Sequence, residues 1–308
     1  MKKQIKTVVT LGLALAMACG MMGCSSSTSS QTSVAEPASA ADAVTSAVSE
    51  EVAASEGATE QEGQASGEII VFAAASMTET LTELGNKFMK ANPEAKIVFN
   101  FDSSGTLKTQ IEEGAVCDLF ISAAPKQMNQ LDATQDAEKN PDGLDFIDSE
   151  QRINYLENKV VLVVNADNKA DVQSYDGLAE SLKEGAVLLA IGNEDVPVGQ
   201  YTKKIFDFYG LVEAEIQGSL SYGTNVKEVT SQVAESAVDA GIIYETDAVS
   251  AGLTVVDTAT EEMCGKIVYP MAPLKNVQNV DGTKLFMEFI QSEEAKAVFS
   301  AVGFTPLF

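Results

Sequence analysis

Histidine and tryptophan are absent from the 308 residues, and arginine occurs once, as Arg152. Without histidine there is no Ser-His or Cys-His nucleophile pair and no imidazole metal ligand. A single arginine excludes a guanidinium cluster that clamps phosphate bidentately. Positive charge is scarce altogether: 20 Lys+Arg face 45 Asp+Glu, a formal net charge of −25. Such a chain lacks the basic patches that nucleic acid or an anionic membrane surface requires. What is plentiful is apolar residues, 45% of the chain, enough for a substantial core.

The N-terminus reads as a targeting signal over residues 1–23. Lys2, Lys3 and Lys6 precede an apolar run from Thr7 to Met22, followed by Gly23-Cys24 and a run of serines. This junction resembles the lipobox of bacterial lipoproteins, which implies that Cys24 becomes the acylated first residue and a lipid anchor. Cys19 is a competing site, and an uncleaved membrane anchor is the alternative, although the run is barely long enough to span. Both readings place the rest of the chain outside the cytoplasm. Residues 24–67 form the expected tether. Positions 25–67 hold seven acidic residues, no basic ones and no aromatics, a composition that cannot bury enough surface to offset ordering. The folded part is then 68–308, with 17 basic and 38 acidic residues, a net charge of −21. Cys117 and Cys264 remain in it, either paired in an oxidising compartment or buried as free thiols; with no histidine they make no metal site.

After residue 68 strand and helix alternate. Ile69–Ala75 is a continuous apolar run, as in a strand covered on both faces. Met77, Leu81, Leu84 and Phe88 recur at helical spacing and stop at Asn92-Pro93. Further strands are expected at Ile97–Phe101, Asp118–Ala123, Lys159–Asn165, Val187–Ile191, Gly241–Tyr244 and Leu253–Val256, with helices from Leu107 to Gly114, at Tyr201–Tyr209, near 226–235 and from about 282 to 299. Residues 132–154 read as polar and irregular. Repeated βα units predict an α/β fold of mostly parallel sheets. Two lobes are expected, 68–155 plus 252–308 and 156–251, with a cleft at the carboxyl ends of the strands.

Five motifs share one design. Ala73-Ala-Ala-Ser76 ends a strand and opens a helix, with Ser76 as N-cap and Glu79 completing a capping box. Asp102-Ser-Ser104-Gly-Thr, Glu194–Gln200 and Gly223-Thr-Asn225-Val226 each open another helix, with Asn225 and Glu228 as a second capping box. Gly241-Ile-Ile-Tyr244 places a phenol at a strand end. Helix N-termini offer unpaired N–H groups and a positive dipole end, and hydroxyls add neutral donors. About six charge-assisted bonds, each contributing roughly 1.5–3 kcal/mol, can hold a small dianion without any cation. Such a donor set also disfavours hydrogen phosphate, whose proton needs an acceptor. Plainer readings exist for each residue: Ser76 and Ser104 as caps, Gly199 as a turn glycine, Tyr244 as a core tyrosine, Asp102 as a turn residue, Arg152 and Lys227 as surface charges. An Asp102 facing the cleft would oppose a dianion.

The ordered blocks Val71–Ser76, Phe101–Leu107 with Gln110-Ile111, Gly114-Ala115 and Asp118–Ala123, Val196–Tyr201, Asn225–Lys227, Ile242–Ala248, Tyr269–Ala272 and Gly303-Phe304 resemble the bacterial molybdate-binding proteins, extracytoplasmic receptors of ABC importers. The resemblance covers nearly all of 68–308. It implies a two-lobed type II periplasmic-binding-protein fold and capture of molybdate, with tungstate, by hydrogen bonds alone. Carried over by position, Ser76 and Ser104 would bind through hydroxyl and N–H, Val198 and Val226 through backbone N–H, and Tyr244 through its hydroxyl. It further implies no catalysis, no cofactor, a monomer, and delivery of the ion to a membrane permease. A receptor for sulfate or another tetrahedral oxyanion shares every donor type. An enzyme acting on sulfate or phosphate esters would need a nucleophile with its base or a metal cluster.

Overall fold

The computed structural model describes residues 64–308. The expected signal peptide, Cys24 and nearly all of the tether lie outside the described residues. The tether was expected to run to residue 67, but its last described residues belong to the folded part: Ala65 is buried and its N–H donates to Asn92 Oδ1, and β1 starts at Gly67 (Gly67–Ala74).

The elements follow as α1 (Thr78–Ala91), β2 (Ala95–Asp102), α2 (Ser104–Glu112), β3 (Leu119–Ile121), α3 (Pro125–Gln130), β4 (Ile153–Asn158), β5 (Val160–Val164), α4 (Tyr175–Glu184), β6 (Leu189–Gly192), α5 (Pro197–Phe208), α6 (Glu213–Ile216) and β7 (Leu220–Gly223). Then come α7 (Val226–Ala234), β8 (Ala240–Tyr244), α8 (Glu245–Ala251), β9 (Thr254–Thr258), α9 (Glu261–Cys264), β10 (Ile267–Pro273), α10 (Val280–Phe289), α11 (Glu293–Ala301) and β11 (Thr305–Pro306). Helical periodicity locates the buried faces. In α1 these are Leu81, Leu84, Gly85 and Phe88, and in α7 Val226, Val229 and Val233.

Two sheets result, ordered β11-β4-β10-β3-β1-β2 and β7-β6-β8-β5-β9. They are mixed rather than mostly parallel. β1 runs parallel to β2 and β3, and β6 to β7 and β8, but β10 is antiparallel to β3 and β4, and β5 to β8 and β9. The reason is the two crossings between lobes. β4 and β5 are consecutive strands separated only by Lys159, so the chain enters the second sheet without a helical crossover and leaves it along β9. The expected lobe limits move accordingly. β4 lies wholly in the first sheet, and β9, expected with the first lobe, pairs with β5 in the second. The second return therefore lies between β9 and β10, after residue 258.

The segment 132–149 has no counterpart in the sequence-level pattern. It is a loop tied down by polar side chains. Asp132 accepts hydrogen bonds from Thr134, Ser149 and Arg152, and Asn140 donates to the carbonyls of Asp132 and Leu144. Burial would raise the Asp132 carboxyl, but these donors outweigh it and hold the group down at about 2. Arg152 is therefore not a surface charge but the anchor of this loop, only 16% exposed. Cys117 and Cys264 are buried free thiols, not a pair. Burial pushes the Cys264 thiol up to about 11 and Cys117 higher still, so both are poor nucleophiles.

Candidate functional site

Four of the five expected residues, Ser76, Ser104, Val226 and Tyr244, line one cavity. A cavity of about 10 Å3 is lined by Ala74, Ala75, Ser76, Asp102, Ser103, Ser104 and Ala123 from the first lobe and by Val196, Pro197, Val226 and Tyr244 from the second. Val198, fully buried, sits one residue past this lining in the first turn of α5. The volume is that of about one water molecule. No lysine or arginine lines it. A far larger cleft, about 1130 Å3, lies beside α3 and α5, but it carries charges of both signs, Lys126, Lys203 and Lys204 beside Glu194, Asp207 and Glu213. Size does not mark the site here; the convergence of donors does.

Each wall is built locally. After β1 the chain makes one 3-10 turn over Ala75–Met77 before α1 begins. Ser76 is not the helix cap. Its Oγ shares a 2.9 Å hydrogen bond with the Tyr269 hydroxyl, which also accepts from Asn158 Nδ2, and Glu79 closes no capping box. At α2 the cap is Ser103, whose Oγ accepts from Thr106 N–H. Ser104, the first helical residue, accepts from Ala123 N–H through its Oγ at 2.9 Å. By position, the N–H groups of Ser104 and Gly105 have no partner within the helix.

In the second lobe α5 begins with Pro197, and its N-cap position, Val196, makes no side-chain cap bond. The N–H groups of Val198 and Gly199 are thus left at the helix start. Gly199 is not a simple turn residue. A Cβ there would lie 2.2 Å from the Asn193 carbonyl oxygen, so only glycine lets α5 seat so close to the end of β6. At α7 Asn225 does cap, accepting from Glu228 N–H, while the Glu228 carboxylate accepts from Thr224 N–H, one residue upstream of a true capping box. Val226 and Lys227 follow as the first helical N–H groups.

Tyr244 stands where β8 meets α8. It is 1% exposed, and its hydroxyl has no hydrogen-bond partner. Burial, reinforced by the neighbouring Tyr269 and Tyr201 hydroxyls and the Asp247 carboxylate, pushes its ionisation well above the ordinary tyrosine value. It therefore stays protonated and able to donate.

Asp102 faces the cavity after all. Its Oδ1 accepts from Ser103 N–H at 2.7 Å and from Asn225 Nδ2 of the opposite lobe at 3.4 Å, so donors from both lobes offset its charge. Sequence reasoning did not assign Asn158 or Tyr269 a place at the site, although Tyr269 opens one of the family-like blocks; each is a polar group at the end of or inside an apolar strand. It also misplaced Lys227. The Lys227 side chain is 29% exposed, binds both Glu79 carboxylate oxygens at 2.8–2.9 Å and lies 3.1 Å from the buried Asp247.

The comparisons with known proteins agree with this architecture. Residues 69–305 match the family model described as bacterial extracellular solute-binding protein. The chain is 36% identical over 239 residues, 77% of this chain and 86% of the relative, to YvgL of Bacillus subtilis (strain 168), whose name describes a substrate-binding lipoprotein of an ABC transporter. It is 32% identical over 246 residues to the molybdate-binding protein ModA of Haemophilus influenzae, covering 78% of this chain and 91% of that one. The periplasmic molybdate-binding protein of Azotobacter vinelandii shares the two-lobed fold, with a TM-score of 0.64 at 23% identity over 77% of this chain and 98% of that chain. The chain belongs to the bacterial extracellular solute-binding protein family.

Proposed function

We propose that this protein binds molybdate, and tungstate with it, outside the cytoplasm and hands the ion to the permease of an ABC importer. The observation that carries this reading is the meeting of three helix N-termini and the unpartnered Tyr244 hydroxyl on one small cavity without a lysine or arginine in its walls. A receptor for an organic solute would use a cavity of roughly 300–1,000 Å3. A tetrahedral dianion needs instead a shell of donors, and helix starts supply them with fixed dipoles. A cavity roofed by both lobes is entered only when they part, so capture is a hinge closure about the two crossings near Lys159 and between β9 and β10. Ser76, Ser104, Val198, Val226 and Tyr244 are the ligand donors in this reading. The chain acts as a monomeric receptor held to the membrane through acylated Cys24, and it turns nothing over: the one carboxylate in the cavity wall, Asp102, is engaged by Ser103 N–H and Asn225 Nδ2 rather than by a nucleophile, and no cysteine lines the cavity.

Isothermal titration with molybdate, tungstate, sulfate and phosphate tests the proposal. Saturable heat is expected for molybdate and tungstate at one ion per chain, with sulfate weaker and phosphate weakest. Absent heat for molybdate, or equal heats for all four, would sink it.

A further inference from the structure

The two residues that flank Val226 at the start of α7 are both held by acids of the other lobe. Asn225 donates to Asp102 Oδ1, and Lys227 grips the Glu79 carboxylate through both oxygens. A lysine in the first turn of a helix is unfavourable against the dipole, so its place there calls for partners. One is Asp247, buried in α8 of the same lobe. The other comes from α1, across the cleft. Burial pulls the Lys227 ammonium down, but the Asp247 and Glu79 carboxylates together outweigh it and keep the group charged.

We infer that Glu79 is a positioning residue for the anion site: by holding Lys227 from the opposite lobe it keeps the N-terminus of α7, and with it the Val226 N–H, seated on the closed cavity and slows release of the ion. The inference rests on the reading of that cavity as the anion site. Glu79 itself does not line the cavity, so its removal deletes no ligand contact. The Lys227–Asp247 pair lies within one lobe and survives opening; the Lys227–Glu79 pair spans the lobes and does not. Closure thus adds one ion pair to a lysine that is already anchored, and a ligand that needs the closed form is released at a rate that pair helps to set.

The informative variant is Glu79→Gln, because replacing Lys227 would also strip the buried Asp247 of its partner. Dissociation of radiolabelled molybdate from the full-length protein, chased with unlabelled molybdate, should speed up by about two- to fivefold in Glu79→Gln, the range of a half-exposed ion pair. The association rate should stay within about twofold, since steering and donors are unchanged. Dissociation from the wild type should accelerate with added potassium chloride, and the variant should lose most of that salt dependence. An unchanged dissociation rate in Glu79→Gln overturns the inference. If the wild type does not bind molybdate, the site reading fails, and the latch is decided by hydrogen exchange of the closed form held with whichever of tungstate, sulfate or phosphate gives saturable heat. Faster exchange in Glu79→Gln confined to 223–230 supports it, and exchange equal to the wild type overturns it.

Discussion

The two walls of the cavity are held in opposite ways. On the first lobe every hydroxyl is committed within its own lobe: Ser76 to Tyr269, Ser103 to Thr106, Ser104 to Ala123 N–H. On the second lobe the Tyr244 hydroxyl has no partner, and the α7 start leans on Asp102 and Glu79 across the cleft. The first wall is complete without the second lobe. The second is completed by closure. This division makes binding and closing one event, because the donors of the second wall reach their places only when the lobes meet.

Forcing the lobes apart should break the comparison most severely. In α2 a Cβ on Gly105 would stand 2.3 Å from the Asp195 carbonyl oxygen of the other lobe. Gly105→Leu should therefore prop the cleft open while leaving each lobe folded, since leucine is a good helix former. The expected loss is about tenfold to a hundredfold in molybdate affinity by calorimetry, the 1–3 kcal/mol typical of overpacking, with an unchanged circular dichroism spectrum. Undiminished affinity would mean that the closed contact at Asp195 is not needed for binding.

The walls should next differ in what a lost hydroxyl costs. Tyr244→Phe removes a donor that the anion-free protein does not use, so affinity should fall by about 1–2 kcal/mol while the melting temperature of the anion-free protein holds or rises. Ser76→Ala removes the bond to Tyr269 as well, so it should lower both affinity and anion-free stability, the latter by about 1 kcal/mol. Thermal melts with and without molybdate separate the two. Equal stability losses in both variants would erase the distinction between the walls.

Much of this was legible in the sequence, and the gaps have physical causes. Apolar runs and 3.6-residue spacing located β1, α1, β3, β5, α5, α7 and β8, because each buries a continuous stripe. Strand β4, Ile153–Asn158, was hidden: its alternating Asn154, Tyr155 and Glu157 look irregular until β10 and β11 are seen on either side. The lobe limit at 251/252 erred because helix α8 ends in a turn at Gly252, and nothing local says which sheet β9 will join. Four of the expected positions line one cavity, but none of their bonds was legible. Sequence placed Ser76 and Ser104 at helix starts, where capping is the natural expectation. Their actual partners, Tyr269 and Ala123, lie 193 and 19 residues away. Long-range partners such as Glu79 for Lys227 leave no local signal at all.

The pH dependence of stability sharpens the comparison further, since the two lobes again carry opposite signs. Asp132 in the first lobe is held at about 2 by its donors, so it contributes stability above its unfolded value of 3.8 that is lost as pH falls towards 2. Asp247 in the second lobe is pushed up by burial to about 6, with Lys227 opposing the shift. Its folded form holds the proton more tightly than the unfolded chain does, so its contribution is full below 3.8 and is lost as pH rises through 6. Between pH 4 and 6 this group alone should cost about 1 kcal/mol of stability per pH unit. Asp247→Asn removes the group, so urea denaturation at several pH values should show the variant gaining on the wild type by that slope across the window and running parallel to it above pH 7. A constant difference between the two proteins from pH 4 to 7 would mean that Asp247 titrates at an ordinary value and that Lys227 fully offsets its burial.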